Sequence, residues 1–111
     1  MKKVCLVNSE SLGHGSSELG ARLMGSFLRK LWASETKPEA IVFLNSGVKL
    51  MATGSAVLDA LDGLVNSGVD LLACGTCVQY YGLEEKVRLG RVSNMDEIAQ
   101  LLMTAENVIT L

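Results

Sequence analysis

Four stretches of the chain lack the polar alternation of a half-buried strand: Val4 to Val7, Ala40 to Leu44, Val69 to Ala73, and Val108 to Leu111. Runs of this kind predict strands buried on both faces, the habit of a parallel sheet covered by helices. The intervals between them carry helical spacing. Leu19, Leu23, Phe27 and Leu31 recur every four residues behind Ser16 and Ser17 as candidate caps, with Glu18 in the first turn. That helix is expected to end near Ala33, before the polar loop Ser34 to Glu39 with the chain's one proline. A second helix is predicted from about Ser55 to Ser67, with Val57, Leu58, Leu61, Leu64 and Val65 on one face and Gly68 as its stop.

Cys74 follows the third run directly, and Val78 to Leu83 behind it reads as a short helix. A short strand is expected around Gly90 to Val92. Asn94-Met95-Asp96-Glu97 then has the form of a capping box ahead of the stripe Ile98, Leu101, Leu102 and Ala105. The order β-α-β-α-β-α-β-α-β predicts a single-domain, doubly wound α/β fold over residues 1–111. Its mainly parallel five-stranded sheet should carry helices on both faces. In such sheets ligands sit outside the carboxyl ends of the strands. The segments landing there are Asn8 to Gly15, Asn45 to Lys49, Cys74 to Cys77, and Ser93-Asn94.

The chain of 111 residues has a formal net charge of -2, and its ten Lys and Arg are scattered. No basic field exists for a phosphate backbone, so nucleic acid is not an expected partner. Three cysteines, with no secretion signal ahead of them, point to a reducing, cytoplasmic setting rather than a disulfide framework. No run reaches the length of a membrane span, and no membrane partner is expected. Hydrophobic residues make up 49% of the chain, high for a domain with so much surface per volume. Part of that apolar area, with Trp32, Tyr80 and Tyr81 as packing or interface residues, is expected at the interface of a homo-oligomer.

The segment Cys74-Gly75-Thr76-Cys77 carries the candidate chemistry. At the start of a helix, unpaired amides and the helix dipole favour an anion, so a Cys74 thiolate is expected to be nucleophilic at cellular pH. Cys-x-x-Cys also serves redox pairs, zinc half-sites and plain tight turns. Zinc would need further ligands from Cys5, His14 or carboxylates. Cys5 reads as a small hydrophobe inside the first strand, so no metal and no other cofactor is expected. Asn45 to Lys49 reads either as a plain turn or as a set of amides with a Lys49 ammonium that lowers the Cys74 pKa or binds an anionic donor. Ser9 to Gly15 lacks the third glycine of a dinucleotide loop, Glu18 standing in its place, and His14 reads as a solvated loop residue.

Cys74-Gly75-Thr76-Cys77-Val78-Gln79-Tyr80-Tyr81-Gly82-Leu83 resembles the signature of the DsrE/DsrF-like superfamily, more narrowly of the carboxyl-terminal domain of YedF proteins, linked to selenium metabolism. Ser17-Glu18-Leu19-Gly20, Asn45-Ser46-Gly47-Val48-Lys49-Leu50 and Gly90-Arg91-Val92-Ser93-Asn94-Met95 resemble further blocks of that subgroup, in order. The resemblance implies a parallel α/β sheet, an oligomer, and sulfur or selenium carriage of sulfurtransferase type through a cysteine persulfide. It puts the sulfur-accepting role on Cys74 and makes Cys77 the extra cysteine of the Cys-x-x-Cys subgroup; in the carrier reading Cys77 is expected to discharge the persulfide by forming a disulfide. Asn45, Gly47, Lys49, Gly75, Thr76 and Asn94 are the candidate substrate-binding residues. YedF proteins usually carry a TusA-like domain ahead of this one, whereas this sequence begins at the first strand; a relay between the two then involves either a separate TusA-like protein, among the expected sulfur or selenium donors and acceptors, or a preceding segment of a longer chain. Two other functions are open: a thiol-disulfide redox protein using the Cys74/Cys77 pair, and a non-catalytic oligomeric binding module.

Overall fold

The computed structural model describes residues 2–111. Its strands are β1 (Lys3–Val7), β2 (Ala40–Phe43), β3 (Asp70–Cys74), β4 (Arg91–Ser93) and β5 (Asn107–Thr110). They form one sheet in the order β4-β3-β2-β1-β5. Every pairing is parallel. The helices are α1 (Ser17–Ala33), α2 (Leu58–Asn66), α3 (Gly75–Tyr80) and α4 (Met95–Thr104), and a 3-10 helix spans Asn45–Met51. The single-domain α/β fold with a five-stranded parallel sheet is the one expected.

From β1 to β4 each crossover moves the chain one strand in the same direction, whereas α4 returns it across the whole sheet to β5. Right-handed crossovers then put α1 and α2 on one face and α4 on the other. The burial of alternate residues follows this division. Cys5, Val7, Ile41, Phe43, Leu71 and Ala73 pack with Met24, Leu28, Leu61 and Leu64. Val4, Ala40, Val42, Leu72 and Cys74 pack with Ile98. Both faces of β2 are sealed, which is why its sequence shows no alternation.

Local signals set the helix ends. Ser16 Oγ accepts the Leu19 N–H at 3.1 Å, and Asn94 Oδ1 accepts the Glu97 N–H at 2.9 Å. The other half of the capping box is absent, because the Glu97 carboxylate is drawn to Arg91 and Ser93 instead. Gly68, at φ +94°, takes the left-handed position that stops α2.

Four expectations are corrected. The repeat Leu19, Leu23, Phe27, Leu31 is not the buried stripe of α1, whose core side is Gly20, Met24, Gly25 and Leu28. A strict four-residue repeat drifts about 40° around a helix per step, so its early members rotate out of the interface. Leu19 and Leu23 are exposed. All four residues of β5 are exposed too, since this edge strand has only β1 beside it. Segment 55–57 forms a turn before α2, with Ser55 Oγ accepting the Val57 N–H at 3.2 Å. The short helix after Cys74 begins at once at Gly75 and ends at Tyr80, rather than running from Val78 to Leu83.

Only α4 covers the second face, and an ionic clamp holds its first turn. Arg91 on β4 donates to Asp70 at 3.1 and 3.0 Å and to both Glu97 oxygens at 2.8 and 2.7 Å. The Arg91 hydrogen bonds, then that of Ser93, pull the Glu97 carboxyl down from 4.5 to about 2. A carboxyl whose pKa is depressed by folding adds stability above its unfolded pKa and loses it as pH falls through the folded one. Glu97→Gln should therefore lower the melting temperature at neutral pH, and the gap to the parent should close between pH 4.5 and about 2. A gap that stays constant across that acid range would assign the clamp no ionic role.

Candidate functional site

β3 ends at the carboxyl edge of the sheet with Cys74, whose extended backbone (φ −63°, ψ 122°) turns the chain into α3. Its sulfur lies on the α4 side and is 2% exposed. Cys77, one helical turn on, is partly buried and reaches the surface. The two thiols are free, and the Cys74 side chain lies close enough to act on the Cys77 thiol. Gly75 lets α3 start against β4: a Cβ there would stand 2.8 Å from the Ser93 carbonyl oxygen.

The 3-10 helix supplies the other wall. Asn45 has φ 51°, the one positive value at a non-glycine among the described residues. Asparagine tolerates this left-handed geometry better than most side chains, and such backbones cluster at functional sites. Here it aims the Asn45 N–H at Cys77 Sγ, 3.1 Å away. The Asn45 Oδ1 accepts the Tyr81 hydroxyl at 2.7 Å. Gly47 lets the same segment lie on β1, where any Cβ would come within 2.4 Å of the Val7 carbonyl oxygen. Asn45, Thr76, Cys77, Tyr80 and Tyr81 together line a cavity of about 340 Å³. The two tyrosine rings meet edge to face at 5.1 Å.

Burial chiefly, and the neighbouring Cys74 side chain after it, raise the Cys77 thiol above its ordinary value of 9.0, while the Asn45 amide pulls the other way. Cys5, inside β1, is pushed up by burial to about 11 and is an inert packing residue, as expected from the sequence.

The predicted residues thus divide. Cys77, Asn45 and Thr76 line the cavity; Cys74 is buried in the cluster on the α4 side; Gly47 and Gly75 act through close backbone approach. Lys49 points elsewhere: its ammonium sits 4.6 Å above the Tyr81 ring and 3.5 Å from Glu10 Oε2. Lys49 is not among the groups that shift the Cys77 thiol. Asn94 is engaged as the cap of α4. His14 is exposed in its loop. Tyr80 and Tyr81, read from sequence as packing or interface residues, line the cavity. Tyr81 lies four positions after Cys77, and that spacing alone puts both on one side of α3. Among the described residues, no group of three or more His, Cys, Asp or Glu is arranged for a metal, and no helix is long and apolar enough to cross a membrane.

The DsrE/DsrF-like family matches residues 2–111. The chain belongs to that family. This DsrE-like protein shares its fold with the YchN protein from E. coli at 18% identity and TM-score 0.75, each chain being covered completely. It is also similar to protein MTH1491 from Methanobacterium thermoautotrophicum, at 19% identity and TM-score 0.73, over 99% of this chain and 98% of that one. Protein BT1422 from Bacteroides thetaiotaomicron aligns at 14% identity and TM-score 0.66, over 99% and 95%. No curated protein sequence matches.

The Tyr81 hydroxyl holds Asn45, and Asn45 holds the thiol, so Tyr81→Phe tests the link while keeping the ring. Losing one hydrogen bond should cost about 0.5–1.5 kcal/mol of stability. It should also move the midpoint of Cys77 alkylation to higher pH, because a loosened amide favours the thiolate less. An unmoved midpoint would show that the 3-10 helix holds Asn45 without the tyrosine.

Proposed function

We propose that this DsrE-like protein is a sulfur or selenium carrier of sulfurtransferase type, holding its cargo as a persulfide on the Cys74/Cys77 pair. The observation that carries the reading is a partly buried thiol opening into a cavity, with a backbone N–H at 3.1 Å ready to hold an anionic sulfur. The sequence resemblance puts the accepting role on Cys74. Its 2% exposure favours Cys77 as the thiol a donor meets first.

In this reading the Cys77 thiolate attacks the outer sulfur of a donor persulfide. A new bond forms to that sulfur, the donor's S–S bond breaks, and the donor leaves as a thiolate. An acceptor thiolate then takes the sulfur by the same exchange. Alternatively Cys74 attacks Cys77 Sγ, forming the disulfide and expelling hydrosulfide, after which an external dithiol reduces the pair and is itself oxidised. The proximity of two free thiols also suits a second function, dithiol–disulfide redox exchange with no bound cargo. The proposed setting is the cytoplasm, where thiols stay reduced. The proposed partners are persulfide or selenium donors and acceptors, a TusA-like protein among them.

We also propose a homo-oligomer. Exposed Leu19, Leu23, Val108 and Ile109 lie on α1 and on the unpaired edge strand β5, the surfaces a second copy would cover. Light scattering at micromolar concentration should give a multiple of the chain mass; a monomeric mass would remove that part of the reading.

Intact-mass analysis after exposure to a persulfide donor separates the chemical readings. A gain of one sulfur supports the carrier, and a loss of two hydrogens supports the redox pair. Cys77→Ser should abolish loading, whereas Cys74→Ser should load and retain its sulfur longer. Full loading of Cys77→Ser would return the accepting role to Cys74.

A further inference from the structure

A second and larger cleft, of about 750 Å³, is lined in part by Lys49, whose ammonium lies 4.6 Å from the Tyr81 ring of the thiol cavity. The loop after β1, the 3-10 helix and segment 52–57 form its walls. The 3-10 helix divides the two spaces: Asn45 faces the thiol, while Ser46 and Lys49 face the cleft. Tyr81 belongs to the thiol cavity yet carries the Lys49 ammonium on its ring, so the two sites share a wall.

Three hydroxyls in the cleft already accept backbone N–H groups: Ser9 from Ser11 at 3.0 Å, Ser46 from Glu10 at 3.1 Å, and Ser55 from Val57 at 3.2 Å. Each keeps its own O–H to donate outward. The charged groups are a matched pair. Lys49 Nζ and Glu10 Oε2 stand 3.5 Å apart, with side chains 42% and 49% exposed. That separation exceeds the ~2.7–2.9 Å of a tight charge-assisted bond, so both retain hydrogen-bonding capacity. A cation and an anion side by side complement the carboxylate and ammonium of an amino acid. Glu10 also disfavours a phosphate or nucleotide, which would bring only negative charge. The volume lies within the ~300–1,000 Å³ range of small-molecule sites and leaves room beyond a single amino-acid end group.

We propose that this cleft binds a zwitterionic low-molecular-weight thiol of the amino-acid or short-peptide class. Lys49 takes the carboxylate, Glu10 the ammonium, and the ligand's sulfur extends past Tyr81 to Cys77. Resting on the persulfide reading, the ligand's persulfide form is a donor. The Cys77 thiolate bonds to its outer sulfur, the ligand's S–S bond breaks, and the ligand departs as the thiolate, so one sulfur moves and no further oxidant is consumed.

Titration calorimetry with reduced glutathione and with L-cysteine tests the binding. Saturable binding is expected for at least one. Tighter binding of glutathione identifies the peptide source; equal or tighter binding of cysteine identifies the free amino acid. On the unaltered protein, N-acetylcysteine and cysteine ethyl ester, each lacking one charge, should bind at least tenfold more weakly than cysteine. Lys49→Met and Glu10→Gln should each weaken binding of the zwitterion tenfold or more. Absence of binding at millimolar ligand, or equal binding of the blocked and unblocked thiols, would overturn the proposal. Loading from inorganic polysulfide, followed by mass, keeps the two ideas apart. Sulfur uptake without zwitterion binding refutes this site alone; zwitterion binding without sulfur uptake from any donor refutes the carrier reading alone.

Discussion

Parallel pairing is the constraint on which everything else in this molecule rests. Because β1, β2 and β3 all run the same way, each must hand the chain to a crossover at the same edge. The loop after β1, the 3-10 helix after β2 and α3 after β3 therefore arrive side by side. Glu10, Ser46, Asn45, Lys49, Cys77 and Tyr81, far apart in sequence, meet there because the strands leave them no other place to go. Their hydrogen bonds form a continuous path from Cys77 Sγ through Asn45 to Tyr81, and the Lys49 ammonium on the Tyr81 ring extends it to Glu10.

Three cysteines in one small domain occupy three different environments, and burial distinguishes them. Cys5 is enclosed between strands and helices, and burial there keeps it inert. Cys74 lies under α4 at the end of β3, in contact with its partner but not with solvent. Cys77 has both a surface and an amide donor. Spacing in a Cys-x-x-Cys segment says nothing of this, since either residue could have turned toward solvent. The direction is set by β3, whose alternation points Cys74 to the α4 face and leaves the next turn of α3 to carry Cys77 outward.

The same reasoning shows what the sequence could and could not convey. β2 and β3 were legible because strands covered on both sides must be apolar throughout, and Ile41, Val42, Leu71 and Leu72 have no polar neighbours to interrupt them. The caps Ser16 and Asn94 were legible because capping is a local bond within three residues. Contacts made across the fold were hidden: Lys49 facing Tyr81 and Glu10, Glu97 choosing Arg91 over its own helix start, and Asn45 taking a left-handed backbone. The stripe on α1 misled for a geometric reason, since leucines four apart look like one face when counted and drift off it when wound. β5 misled because an apolar strand at an edge has the same composition as one in the middle.

The asymmetry of the two layers also ranks the motions available to the native protein. Two long helices and a 3-10 helix lie over one face, while α4 alone shields the other, joined to the sheet by Ile98 and by the Arg91 clamp. Partial openings of a native fold draw on its thinner layers, and on the second face that layer is a single helix. Cys74 is packed in that layer with Ile98. The inner thiol is thus shielded by the same layer that the Arg91 clamp fastens: Ser93, the register partner of Cys74 on β4, is itself hydrogen-bonded to Glu97, so the ionic cluster and the sulfur share one stretch of the sheet.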